Sequence, residues 1–470
     1  MPNILKDKTN KVLLKMSLPI SLGMLSTFLF QVIDTYFIGE LGANSLAALS
    51  FSSTIYFLLI SLYIGLSIGV SIIIGQSVGK GDLNKVKKTT WVSLALSFSI
   101  AIILSLVSLV FIDKLFIGLG ATKEVLPLIL EYTIPILIGM PFLTFGMTAG
   151  GILRASGNIT KPEIVMGIAG VFNLGFDYLL IFGKWGFPEL GIKGAAYATV
   201  ISWVLVFIAM IGLLLKDKLI DFSQNTTDSI ATIVQEILKL ASPTILIQII
   251  GPFTITFLTY LLAKESEMAV AAFGVVSRIE MLLMVGILAV SASITPFVAQ
   301  NSGANANKRI DEAIIFGGKT SLYLGLLMAL ILFVFVKSIA AIFSDNQEVI
   351  SYICNYFYIV SLSYLFYALY VITTSIFNGL RKTVISLKIT VIKSVAFAIP
   401  LTLIGSTWGI NGIFIGLAFA NILTGIYAAI TMRKETRVHR TELHKISALE
   451  DYKNDIKWLL SRNKAKRYNQ

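Results

Sequence analysis

The chain has 470 residues, of which 56% are hydrophobic and 14% charged, and its mean hydropathy is +0.83. That composition is too apolar for a soluble domain of this length. The net charge of +12 would suit a nucleic-acid binder, but the lysines and arginines are spread over loops beside apolar runs, where anionic lipid is their partner, so no nucleic-acid partner is expected.

Runs of about 20 residues without charge clusters are long enough to cross a ~30 Å hydrocarbon core as helices. They occur at 16–38, 50–76, 91–112, 127–153, 163–183, 194–215, 241–263, 271–300, 314–336, 350–379, 384–405 and 410–432. With the N-terminus placed in the cytoplasm, 28 basic residues fall on that side and six on the other. This bias predicts a multi-pass protein of the cell membrane with both termini inside.

The chain begins with Lys6, Lys8, Lys11 and Lys15, then a span too long for a signal-peptide core and without a small-residue cleavage site, so the first span is expected in the mature protein. Within it, "FLFQVIDTYFIGELG" (28–42) sets Asp34 in an apolar run. A carboxylate there costs about 2.5 to 3.5 kcal/mol on insertion scales and usually faces a cavity or a partner. Gly23, Thr27, Gln31 and Asp34 share one helical face. Pro19, with other prolines in or beside spans, permits a bend.

The fifth span repeats the pattern. Asp177 lies in "GVFNLGFDYLLIFG" with Asn173 one turn away, on a face shared with Gly167 and Gly170. Asp34 precedes Glu40 by six residues and Asp177 precedes Lys184 by seven, so each sits roughly 9 to 10 Å below its outer flanking charge. The two can meet at one depth, where mutual repulsion and lost hydration would favour proton uptake. The plainer reading of either acid is a backbone-bonded group, or for Asp34 one that snorkels outward.

Later candidates are more ambiguous. Glu280, two residues after Arg278, falls near the outer mouth of the eighth span, where a solvated or locally paired carboxylate competes with a functional one. The tenth span carries Tyr352, Tyr356, Phe357, Tyr358, Tyr364, Phe366, Tyr367 and Tyr370. Such a face can hold flat organic cations, though packing against lipid is the default. Lys393, near mid-membrane in the eleventh span, suits a counter-ion as well as a substrate or coupling role. Cys354 is the single cysteine, and His439 and His444 both lie in the basic tail. An intramolecular disulfide, an intramembrane histidine metal site and a histidine proton relay are thereby excluded. The tail, 433–470, is either solvated or a basic amphipathic helix on the membrane.

The sequence repeats at an offset of 224: "LLKMSLP" (13–19) meets "ILKLASP" (237–243), Thr35-Tyr36 meets Thr259-Tyr260, and Gln76 and Gly79 meet Gln300 and Gly303. The expected fold is therefore an all-α integral membrane protein, twelve helices in two pseudo-symmetric six-helix bundles: an N-lobe at 1–220, a C-lobe at 221–432, and a tail at 433–470. Six helices per copy is an even number, which gives parallel repeats, the plan of alternating-access carriers. The second copy has Leu258 where the first has Asp34. The acid is an addition to the fold.

"LPISLGMLSTFLFQVIDTYFIGELGANSLAALS", "GQSVGKGD", "GILRASGNITKP", "FNLGFDYLLIFG", "PELGIKGAAYATVIS" and "PFVAQNSGA" together resemble the multidrug and toxic compound extrusion (MATE) family. The resemblance runs from about residue 10 to 432. It implies a V of two six-helix lobes and export of amphiphilic, often cationic, compounds in exchange for protons or sodium ions, with no enzymatic activity and no cofactor. Within the family the chain looks like the DinF-like branch, whose first-helix aspartate maps onto Asp34, its bend proline onto Pro19, and its Asn-x-x-x-Asp onto Asn173 and Asp177. The seventh span lacks the glutamate, and the tenth the aspartate, of the sodium-linked NorM-like branch, so the resemblance favours H+ as the coupling ion. A single chain would suffice, as a monomer. A lipid-linked oligosaccharide flippase of the same superfamily is the rival carrier, but more helices and a strongly cationic cavity are expected of it. The "GKGD" at 79–82 fits an intramembrane aspartyl protease only in a lysine-rich loop, and no phosphate-binding loop of an ATP-driven pump occurs.

Overall fold

The computed structural model describes residues 3–221 and 228–436, so the tail beyond 436 lies outside the described residues. The described residues are helical throughout, without strands: α1 Thr9–Gly39, α2 Ala43–Lys80, α3 Leu83–Gly118, α4 Leu126–Ala155, α5 Thr160–Phe182, α6 Ile192–Lys216, α7 Ile230–Glu265, α8 Glu267–Gly303, α9 Asn307–Phe343, α10 Gln347–Val360, α11 Tyr364–Gly379, α12 Thr383–Val391, α13 Ile399–Gly405 and α14 Gly409–Glu435. A single 3-10 turn, Ser361–Ser363, joins α10 to α11. A π turn, Ile392–Ala398, joins α12 to α13. Pro400, in the first turn of α13, has no N–H to donate and its ring crowds the preceding turn, which a widened helix relieves.

Eleven helical runs are long and apolar enough to cross a membrane, the last being the 53 residues of Thr383–Glu435. A straight helix of that length would measure ~80 Å. It folds back instead at Gly409, φ 70° and ψ −162°, a backbone conformation that favours glycine, and Gly405 packs on Gly412 and Gly416 on Leu401. Two antiparallel passes result, which makes the expected twelve.

The apolar core shows how the halves are joined. One cluster, from Ile38 to Trp203, is confined to the first half, and another, from Leu258 to Ala418, to the second. Two more cross between halves: Val12, Leu13 and Met16 of α1 pack with Phe297 and Ile376, and Val70 and Ile73 of α2 pack with Ile237 and Ala241 of α7. The crossing clusters lie toward the face that carries the lysine-rich loops, here called the basic face.

There α2 and α8 meet backbone to backbone. A Cβ on Gly79 would strike the carbonyl of Gln300, and a Cβ on Gly303 would strike the carbonyl of Gln76, so the repeat positions touch reciprocally. Gly69 likewise leaves no room for a side chain beside Ala241. Small residues permit such approach between helices in lipid, where burial from water does not drive association. Around this contact, Ser17 and Ser293 hydroxyls are hydrogen-bonded at 2.9 Å, Lys85 bridges Asp228 and Glu236 at 3.2 and 3.0 Å, and Arg309 donates to the Ile4 and Asp7 carbonyls. The described hydrogen bonds between the halves all lie toward this face.

A further tether holds the end of α6 to the start of α5 and the loop before it. Lys161 Nζ is 2.7 Å from Asp217 Oδ1, and Asn158 donates to the same carboxylate. Burial opposes ionisation of Asp217, but these two hydrogen bonds outweigh it and hold its carboxyl below the usual carboxylate range. A lowered folded-state value contributes stability that is fully present above the unfolded value of about 3.9 and is lost as pH falls through the folded one.

Two outcomes are expected. In a Cys354→Ser background, Gly75→Cys with Ala299→Cys should cross-link under mild oxidation and stop transport until reduced, because a Cβ on Gly75 would lie 2.9 Å from that of Ala299; absence of a cross-link on non-reducing gels would contradict the contact. Asp217→Asn should flatten the acid limb of a thermal-stability profile below about pH 4, with a loss near neutrality of only about 0.5 to 1 kcal/mol for a part-exposed pair.

Candidate functional site

A cavity of about 470 Å³ opens in the first half, lined by α1, α2, α4, α5 and α6 with Met281 of α8 at its edge. Its size is that of a small-molecule site. α1 contributes Thr27, Gln31 and Asp34, α2 Tyr56, α4 Tyr132 and α5 Asn173. Tyr56 stacks on Trp203 at 6.1 Å and 3°, making a flat aromatic wall. The Thr27 hydroxyl donates to the Gly23 carbonyl, 2.9 Å, and Asn173 Nδ2 donates to Thr199 Oγ1 at 3.5 Å.

Asp34 lies on this lining, and its Oδ1 is buried without a hydrogen-bond partner. Asp177 is fully buried behind the lining, and neither of its carboxylate oxygens has a partner. The carboxylates lie within electrostatic reach of each other, and Tyr132 within reach of both. The two-faced arrangement expected from helical spacing thus holds for Gln31, Asp34, Gly170 and Asn173. It fails for Gly23, which packs on Glu163. It is modified for Asp177, which backs the cavity. α1 continues unbroken through Pro19.

Glu280 and Lys393 belong to a different cluster, in the second half. Glu280 is not a solvated mouth residue: its Oε1 accepts hydrogen bonds from Tyr356 at 2.7 Å and Tyr364 at 2.5 Å. The Lys393 ammonium lies over the rings of Tyr367 and Tyr370, 4.5 and 4.8 Å from their centroids. The default of lipid-facing aromatics is corrected here, since Tyr356, Tyr364 and Tyr370 are buried and only Tyr358 among these tyrosines of the tenth pass is an exposed large apolar residue.

Sequence reasoning missed Tyr56 and Tyr132, since tyrosines in apolar runs read as packing. The 224-residue offset would have found them: it places Tyr56 opposite Glu280 and Tyr132 opposite Tyr356. Leu258, opposite Asp34, is buried in the second half's apolar cluster.

Twelve passes, repeated halves joined on one face, and a largely apolar cavity that carries an acid within the bundle define a membrane carrier rather than an enzyme. The MatE family profile matches residues 19–179 and 243–404, and the chain belongs to that family of transporters, which are driven by ion gradients. Among its relatives, the FAD transporter of Shewanella oneidensis is 33% identical over 426 residues, 90% of this chain and 94% of that one. Probable multidrug resistance protein YoeA of Bacillus subtilis is 27% identical over 343 residues, covering 72% and 74%. The crystal structure of the Vibrio cholerae MATE transporter VcmN in the bent form superposes with a TM-score of 0.87 at 28% identity, covering 92% of this chain and 98% of that one. Export of small compounds is accordingly this chain's class of activity.

Asp177→Val removes two unpartnered buried oxygens while adding only about one methyl group of volume, and is expected to raise stability by about 1 to 3 kcal/mol while abolishing transport. A lower thermal midpoint in detergent would mean that Asp177 is a structural acid.

Proposed function

We propose that the chain exports flat amphiphilic compounds in exchange for protons, as a DinF-like carrier that works as a monomer in the cell membrane. The observation behind this is the pair Asp34 and Asp177, two carboxylates within electrostatic reach of each other with three oxygens lacking partners. Buried acids of this kind mark ion pathways in membranes. The lobes are taken as residues 1–220 and 221–432, with both termini cytoplasmic, which makes the joined basic face the inner one. In this cycle protons from outside neutralise Asp34 and Asp177, α1 repacks about Pro19, and the solute held beside Gln31 and Asn173 leaves. Return to the inward-facing state follows. Exchange at overlapping groups keeps solute and proton from being bound together. Sodium-ion coupling is the rival, and it would place the ion nearer Glu280.

Two solute charges are in play. Cationic drugs fit the acidic first-half cavity and the family resemblance. A flavin dinucleotide fits the relative named FAD transporter, whose identity extends over 90% of this chain.

The test is efflux from proteoliposomes under an imposed pH gradient, with and without sodium ion. A cationic dye should leave only with the pH gradient, Asp34→Asn should cut the rate at least about tenfold, and excess FAD inside should compete if flavin nucleotides are carried. Sodium-driven movement indifferent to Asp34→Asn would overturn proton coupling.

A further inference from the structure

The second half holds a charge that the proton cycle does not use. Lys393 stands at the start of the π turn Ile392–Ala398, a backbone irregularity that recurs at functional sites. Its ammonium contacts two tyrosine faces, and no hydrogen bond or ion pair is described for it. Glu280 is within electrostatic reach of Lys393, yet spends Oε1 on the hydroxyls of Tyr356 and Tyr364. Two tyrosines thus occupy one oxygen of the carboxylate, and the ammonium's donors are not bonded to it. Lys393, Glu280 and Tyr367 each keep part of their surface exposed. Met281, the next residue of α8, lines the edge of the first-half cavity.

We propose that Lys393, with the ring of Tyr367, is a second solute site, one that takes a flat aromatic compound bearing a phosphate. An ammonium with unused donors recognises phosphate oxygens by charge-assisted hydrogen bonds, and tyrosine faces stack on a flat ring system. Glu280 is the internal rival for Lys393: its negative charge weakens the pull on phosphate and eases release. The first half then exchanges protons against the solute beside Gln31 and Asn173, and the second adds recognition of an anionic solute. This deepens the second solute reading above and rests on it.

The test is equilibrium binding to the purified full chain in nanodiscs without any gradient, so that a failure of proton coupling cannot imitate a failure of the site. The probes are flavin mononucleotide and riboflavin, which share a ring system and differ by the phosphate. Wild type should bind the mononucleotide more tightly, and Lys393→Gln should weaken it by about ten- to a hundredfold, to the level of riboflavin, whose own affinity should stay unchanged. Lys393→Arg should retain the preference, which controls for folding. Glu280→Gln should tighten the mononucleotide several-fold. Equal binding of the two flavins by wild type, or a mononucleotide affinity indifferent to Lys393→Gln, would overturn the site. A cationic dye that needs Glu280 while the mononucleotide ignores Lys393 would make it a cation site instead.

Discussion

Three carboxylate oxygens without partners, on Asp34 and Asp177, are the constraint around which the first half is organised. In an apolar bundle an unpaired charge is far costlier than any single packing contact. Such a pair persists only where the surrounding structure is over-determined. Here the apolar cluster of the first half, the Tyr56–Trp203 stack and the close helix contacts supply that support. The second copy shows the fold without the burden, since Leu258 fills the position of Asp34 and packs.

The two copies have diverged in their polar residues while keeping their backbone contacts. Gln76, Gly79, Gln300 and Gly303 still meet as equivalents. In contrast, the tyrosine of one copy has become the carboxylate of the other, at Tyr56 and Glu280, while Tyr132 and Tyr356 remain alike. The first half places an acid on its leading helix with tyrosines about it, and the second places an acid on the following helix with tyrosines bonded to it. Similar parts make different electrostatic environments.

Much of this was legible in the chain itself, for physical reasons. Hydrocarbon demands long apolar helices, so the passes are visible in composition, and the cost of a buried charge makes Asp34 and Asp177 conspicuous. The π turn at Lys393 and the bonding of Glu280 were not visible. Distance along a helix gives depth but says little about which side chains turn inward, and Glu280 read as a mouth residue because Arg278 stands two positions away. Tyrosine is ambiguous for a related reason, being apolar along its ring and polar only at its tip.

The reciprocal meeting of Gly79 with Gln300 and of Gly303 with Gln76 is made by main chain on both sides. Those carbonyls are already engaged within their own helices, so parting the halves orphans neither of them; what is given up there are the side-chain bonds of Gln300 to the Ala155 carbonyl and of Gln76 to the Ser302 hydroxyl. Neither glycine has a rotamer to freeze when the halves rejoin. The clasp therefore opens and closes with little entropic cost of its own. The free-energy difference between closed and open forms rests instead on the two apolar clusters that cross between the halves and on the charged groups around them, where bound protons and solutes act.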